Sequence, residues 1–177
     1  MEQQSSDNPA QNCIFCQIAQ GKIQSKKIYE DEKVVSFLDI NPANPGHLLL
    51  VPKTHYSLMM QMPNEEVTHI FSVAQGLSNA LLKALDVEGT TIFTANGGTA
   101  GQKAPHFMIH VIPRQQNDGL NFIPPQKEAD AGALEKFREK LVPLVKQYLG
   151  GEKQGTKQTE GTEQNDVSLD EVSKMFK

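Results

Sequence analysis

The longest regular pattern in the chain is a helical one. Val67, Ile70, Phe71, Ala74, Leu77, Leu81, Leu82 and Leu85 are separated by 3, 1, 3, 3, 4, 1 and 3 residues, which traces one face of a helix. Pro63-Asn64-Glu65-Glu66 opens it, with Asn64 as the expected N-cap and two carboxylates at the positive end of the helix dipole, and Asp86 to Gly89 closes it. A short apolar segment, Cys13 to Gly21, predicts a first helix with Ile14, Phe15 and Ile18 on its buried side. Strand patterns follow at 27–30, 34–39 and 47–51, the last being the apolar run HLLLV closed by Pro52. INPANPG, between the second and third strands, is turn chemistry: its prolines fix φ and Gly46 permits positive φ, so these strands should pair antiparallel. Thr90 to Ala95 is a further strand, NGGTAGQ (residues 96–102) a glycine-rich loop, and HFMIHVIP (residues 106–113) an alternating strand. Leu134, Phe137, Leu141, Val145 and Tyr148 give a helix over 129–149, which Pro143 should kink or divide.

Both ends of the chain lack this patterning. Residues 1–12 are polar and aperiodic and read as a disordered tail. Residues 150–166 carry no apolar side chain, a composition that cannot offset the entropy of ordering and reads as a linker. SLDEVSKMFK, residues 168–177, forms a capped amphipathic stripe of Leu169, Val172, Met175 and Phe176. It is too short to stand alone as a helix, so the 167–177 segment is a candidate recognition element for a protein partner.

Charge and composition narrow the classes of function. A formal net charge of -4 provides no basic field for nucleic acid. No apolar run approaches the ~20 residues of a membrane span, and the N-terminal segment has no secretory h-region, so a cytoplasmic protein is expected. The only cysteines, Cys13 and Cys16, stand as C-x-x-C. Three explanations fit that spacing: half of a tetrahedral zinc site, a pair of buried thiols, or a redox pair.

The densest chemistry lies in GQKAPHFMIHVIPR, residues 101–114. Glycines 97, 98 and 101 allow backbone N–H groups to approach a ligand closely, and Asn96 and Gln102 add neutral amide donors. On an extended strand His106, Met108 and His110 share one face. Lys53, Lys103 and Arg114 are candidate phosphate counterions, Lys103 being nearest the loop.

This segment resembles the signature of the histidine-triad (HIT) family, which is glycine-glutamine, then H-x-H-x-H, then two apolar residues and a basic one. His106 fits the first histidine and His110 the last, but Met108 occupies the middle. CIFCQI, FLDINPANPGHLLLVPKTH (residues 37–55) and the Asn96 loop resemble further family segments in the same order, so the likeness covers about residues 13–114.

The resemblance implies an α+β fold, an antiparallel sheet of about five strands with the 64–86 helix packed on it, in a HIT domain spanning 13–149 with its helical extension. It implies a purine nucleotide site in which Phe37, Leu38 and Ile40 lie near the base and Asp39 on the ribose. Asn96, Gly101, Gln102, Lys103 and His110 then surround the phosphate. Cys13, Cys16, His55 and His106 would hold zinc. A homodimer is implied, joined through the long helix and the strand before it.

In the family the middle histidine attacks the α-phosphorus. A thioether has no basic nitrogen and cannot do so. His110 stands ~6.6 Å further along the strand, too far to replace it in the same substrate pose. The resemblance therefore points to a nucleotide-binding protein with weak or absent nucleotidyl hydrolase activity. Two alternatives stay open: an active hydrolase or transferase on dinucleoside polyphosphates or nucleoside phosphoramidates, and a scaffold acting through its C-terminal helix. His47 and His69 receive no role, and His69 is expected to face solvent.

Overall fold

The structure is a computed structural model and describes residues 12–149. The expected 1–12 tail lies almost wholly outside these residues, and the 150–166 linker and 167–177 helix lie entirely outside. The described residues belong to two compact units, one ending at Phe122 and the other beginning at Ile123.

The first unit is a five-stranded antiparallel sheet. Helix α1 (Ile14–Ala19) leads into β1 (Lys27–Glu30), β2 (Val34–Leu38) and β3 (Leu48–Pro52). Helix α2 (Asn64–Leu85) is followed by β4 (Gly89–Phe93) and β5 (Ile109–Arg114). The strand order is β1-β2-β3-β5-β4, so β1 and β4 are the edges. The α+β fold expected from the resemblance is present, and β2 and β3 pair antiparallel across the INPANPG turn. Gly46 in that turn has φ +89, a left-handed conformation that favours glycine, and a Cβ there would stand 2.5 Å from Leu85 Cδ1, so any other residue would also require the Leu85 side chain to move.

The sheet's two faces follow from alternation. Val34, Leu48, Leu50, Ile109 and Val111 pack with Phe107 against Ile70, Ala74, Leu77 and Leu81 of α2. The opposite face presents Val35, Phe37, Leu49 and Val51, covered by Ile18 and Ala19 of α1, with Phe15 and Met108 beside them. Pro63, rather than Asn64, caps α2: its carbonyl accepts from the Glu66 and Val67 N–H groups. Asp86, in the left-handed region at φ 50, ends the helix.

Three local expectations change. Ile14 is exposed, because Cys13 and Cys16 turn inward and rotate α1 so that Cys16, Ile18 and Ala19 are the buried residues. His69 is only partly exposed, with Nε2 2.8 Å from Asp31 Oδ2; the same carboxylate accepts from the Lys33 and Val34 N–H groups and so ties the β1–β2 turn to α2. β3, the strand before α2, is hydrogen-bonded on both sides and cannot join a second copy edge to edge; of the two free edges, β1 and β4, the one next to α2 in the chain is β4.

The second unit contains α3 (Ala131–Leu149). It runs as one helix with Pro143 inside it, so the proline does not divide it.

Candidate functional site

Two clefts open on the sheet face that carries α1. The first, about 760 Å³, is lined by Ile14, Phe15, Ile18 and Ile23 on one side and by Phe37, Leu38, Asp39 and Ile40 on the other. The four residues expected around a nucleobase and ribose are thus consecutive in one wall. The second cleft, about 510 Å³, is lined by Gly101, Gln102, Lys103, Met108, His110 and Phe93 among others. Phe15, Asp39, Asn41 and Leu49 line both, so the clefts meet beside Asp39. Asp39 Oδ1 accepts from the Asn41 N–H at 2.9 Å, the bond of an Asx turn, which fixes the carboxylate at that junction.

His110 does not stand alone. Its Nδ1 lies 3.0 Å from Nε2 of His47, which is buried immediately before β3. The Ala43 N–H donates to His47 Nδ1 at 3.1 Å. A backbone N–H can only donate, so His47 Nδ1 carries no proton and its Nε2–H must donate to His110 Nδ1. The proton of neutral His110 therefore sits on Nε2, the nitrogen left to act in the cleft. Asp39 Oδ2, 3.5 Å from His47 Nδ1, is too distant to displace the Ala43 donor. Burial lowers the pKa of both rings, against the nearby Asp39 charge, which keeps them neutral near pH 7 and preserves the relay. Sequence reasoning left His47 unassigned, although its alternation with Leu49 and Val51 already placed it on the cleft face.

The glycine loop organises itself through the residues expected to contact a ligand. Gln102 Nε2 donates to the Ser57 and Ala104 carbonyls, and its Oε1 accepts from the Gly97 N–H. Asn96 Oδ1 accepts from the Met59 N–H. Gln102's amide is therefore committed to shaping the loop rather than free to bind phosphate. The positive φ of Gly101, 95°, provides the reversal that brings Gln102 back on Gly97. Lys103 remains exposed at the second cleft. The other two expected counterions are engaged elsewhere. Lys53 pairs with Glu30 at 2.8 Å, and Arg114 is bound to Asp118 through Nε and Nη2 and to Thr91 through Nη1.

The expected strand over 106–113 is shorter at its start. β5 begins at Ile109, because the Phe107 N–H donates to the Tyr56 carbonyl instead of to a neighbouring strand. Met108 and His110 line the second cleft, whereas His106 is fully buried in a separate cluster with Cys13, Cys16 and His55. Cys13 Sγ lies 3.3 Å from His106 Nδ1, Cys16 Sγ lies 3.5 Å from the same nitrogen, and Cys16 Sγ lies 3.2 Å from His55 Nδ1. His106 Nε2–H donates to the Pro52 carbonyl at 3.0 Å, which leaves Nδ1 as the lone-pair nitrogen facing both sulfurs. Burial, reinforced by the Cys13 thiol, pushes the Cys16 thiol up to about 11, and burial pulls His106 down to about 4. A thiolate at Cys16 is therefore disfavoured unless a cation supplies the compensating charge. A tetrahedral zinc with bonds of 2.3 Å to sulfur and about 2.05 Å to nitrogen requires sulfur–nitrogen edges of about 3.5 Å. The observed edges fit that ion with little movement.

Comparison with known proteins places the chain in a family. The family model described as the HIT domain matches residues 20–117. An uncharacterized HIT-like protein of Methanocaldococcus jannaschii is 45% identical over 109 residues, covering 60% of this chain and 82% of the relative. The adenosine 5'-monophosphoramidase of Candida albicans is 34% identical over 135 residues, covering 73% of this chain and 89% of that protein. Among solved structures, a Zn-bound histidine triad family protein from Mycobacterium smegmatis superimposes with a TM-score of 0.61 at 32% identity, covering 81% of this chain and 99% of the other. With more than half of the sequence matched by the family model and the expected sheet beneath the site, this chain belongs to the HIT family.

Proposed function

We propose that this protein binds a purine nucleotide in the joined clefts and cleaves it weakly or not at all. The base lies in the first cleft against Phe37, Leu38 and Ile40, the ribose meets Asp39, and the phosphate lies in the second cleft near Lys103, His110 and the loop through Asn96, Gly101 and Gln102. The observation that carries this reading is the direction of the histidine relay. His47 donates to His110 Nδ1, so His110 offers a proton to a phosphate oxygen and has no free lone pair with which to attack phosphorus. Met108, the other cleft residue of the triad line, has no basic nitrogen to offer. Binding is thus retained while the nucleophile is missing.

The Cys13–Cys16–His55–His106 cluster is proposed to hold one zinc ion, which the sulfur–nitrogen edges and the Pro52-fixed His106 tautomer support. When bound, the ion supplies the charge that allows two thiolates to be buried, and it fastens α1 to the sheet. The protein is further proposed to be cytoplasmic and homodimeric; no described helix is long and apolar enough to cross a membrane. The dimer would form through α2 and the open edge of β4, where Phe71, Leu85 and Ile92 are exposed.

A second reading, an active hydrolase or transferase, draws on the monophosphoramidase activity named for the Candida albicans relative. One experiment separates the two. Calorimetry against a nucleotide panel measures binding, while phosphorus NMR follows AMP phosphoramidate and a dinucleoside polyphosphate. Binding without turnover supports the proposal. Turnover in the native protein that is abolished by His110→Ala overturns it.

A further inference from the structure

Helix α1 stands between the sulfur cluster and the clefts. Cys13 caps it and Cys16 lies within it, and both sulfurs face one atom, His106 Nδ1, at 3.3 and 3.5 Å. The two sulfurs lie within 4.8 Å of one another, and both thiols are free. Only Ile14 and Phe15 separate them in the chain. A disulfide holds its sulfurs about 2.05 Å apart, so forming one would draw these two together and move the residues between them, with no remote segment involved.

Phe15 carries any such movement into the clefts. Its ring stacks on Phe37, with 6.5 Å between centroids and 22° between planes, and its centroid stands 5.9 Å from that of His106. Phe15 lines both clefts, and Ile14 lines the first. α1 has six residues, too few for a helix that is stable in isolation, so its position depends on what its side chains touch. Those contacts are the sulfur cluster on one hand and the packing of Phe15, Ile18 and Ala19 on the sheet on the other. His55 is the one partly exposed member of the four and lies 3.2 Å from Cys16 Sγ, so a small oxidant entering on that side meets Cys16 first.

We propose that Cys13 and Cys16 form a reversible redox switch on nucleotide binding, in which a hydroperoxide joins them as a disulfide, zinc is released and Phe15 shifts in the clefts. The proposal rests on the zinc and nucleotide readings given above and adds control of the second by the first. The Cys16 thiolate sulfur attacks one peroxide oxygen and the O–O bond breaks. The other oxygen leaves as an alcohol, or as water, after taking a proton from solvent. The Cys13 thiolate sulfur then attacks the resulting sulfenic acid, forming the S–S bond and expelling hydroxide, which solvent protonates. Two electrons pass from the sulfurs to the peroxide. The disulfide sulfurs no longer carry the negative charge that zinc ligation needs, and the two remaining ligands, His55 and His106, cannot hold the ion alone.

The test takes the full chain, reduced and loaded with zinc, through a hydrogen peroxide titration. A colorimetric chelator reads released zinc, mass spectrometry reads the Cys13–Cys16 disulfide, and calorimetry reads AMP affinity. Zinc release and the disulfide should rise together, and AMP affinity should fall roughly two- to twelve-fold, the worth of one ring contact. Dithiothreitol with added zinc should restore both; it does not reduce methionine sulfoxide, so recovery separates the cysteines from oxidation of Met108 in the second cleft. Phe15→Leu should bind AMP more weakly when reduced and lose no further affinity on oxidation, while still releasing zinc. Zinc retained at an excess of peroxide, sulfinic acid formed without a disulfide, or zinc release with AMP affinity unchanged overturns the switch while zinc and AMP binding by the reduced chain stand. Failure of the reduced chain to take up zinc overturns the zinc reading, failure to bind AMP overturns the nucleotide reading, and either removes the switch with it.

Discussion

Replacing His47 by phenylalanine tests the histidine relay directly. The change keeps an aromatic ring of similar volume at a buried position and removes both nitrogens. Two bonds are lost: Ala43 N–H to Nδ1 at 3.1 Å, and Nε2–H to His110 Nδ1 at 3.0 Å. Ala43 is exposed, so water can replace its lost acceptor at little cost. His110 is half-buried, and its orphaned Nδ1 costs about 1–3 kcal/mol. With a urea dependence of roughly 1–3 kcal/mol per molar, the unfolding midpoint should fall by about 1 M. The ligand effect is distinct. Freed from His47, His110 can place its proton on either nitrogen, so the ring that meets the phosphate as a donor is only part of the population. AMP affinity should therefore fall roughly two- to ten-fold, while adenosine, which has no phosphate, binds as before. Denaturation and calorimetry measure these effects, and long-range nitrogen–proton NMR reads the tautomers. Native His110 protonated at Nδ1, or equal losses for AMP and adenosine, would refute the relay.

Met108→His restores a nitrogen beside the phosphate and should raise AMP phosphoramidate hydrolysis by orders of magnitude; a folded, AMP-binding variant with unchanged turnover in phosphorus NMR would show that more than one residue separates this cleft from a catalytic one. Zinc removal, or Cys13→Ser, should lower the melting temperature and weaken AMP binding, because the cluster fixes α1 and Phe15 on that helix lines both clefts; elemental analysis together with calorimetry checks both effects. Burial lowers the pKa of His47 and His110 below the ordinary 6.5, so below about pH 6.5 the unfolded chain takes up protons that the folded chain resists. Stability should therefore fall as pH drops from 7 towards 5, and denaturation of Cys13→Ser separates this loss from acid release of zinc. Gly46→Ala should cost about 1–2 kcal/mol, chiefly from the left-handed φ, with the exposed Leu85 methyl turning away from the new Cβ, as read by urea unfolding.

Much of this protein was determined by local pattern. The α2 stripe and the β2–β3 hairpin around Gly46 follow from periodicity and turn chemistry, because each depends on neighbours within a few positions of the chain, whereas the nucleotide roles proposed for Phe37, Leu38, Asp39 and Ile40 came from the family likeness. The family likeness added the Cys13, Cys16, His55 and His106 grouping, which spans more than ninety residues and which no local rule could assemble. Tertiary structure decided the rest. His106 and His110 share a motif, yet the Phe107 bond to Tyr56 holds His106 in a buried sulfur cluster, whereas His110 falls in the cleft. Gln102 and Arg114 looked like ligand donors until the fold supplied closer acceptors, the Ser57 and Ala104 carbonyls for one and Asp118 for the other. His47 looked idle until β3 paired with β5 and set its ring against His110. The sequence specified which groups were present. Strand register, which joins residues far apart in the chain, specified which of them met and therefore which retained a free hydrogen-bonding atom for a ligand.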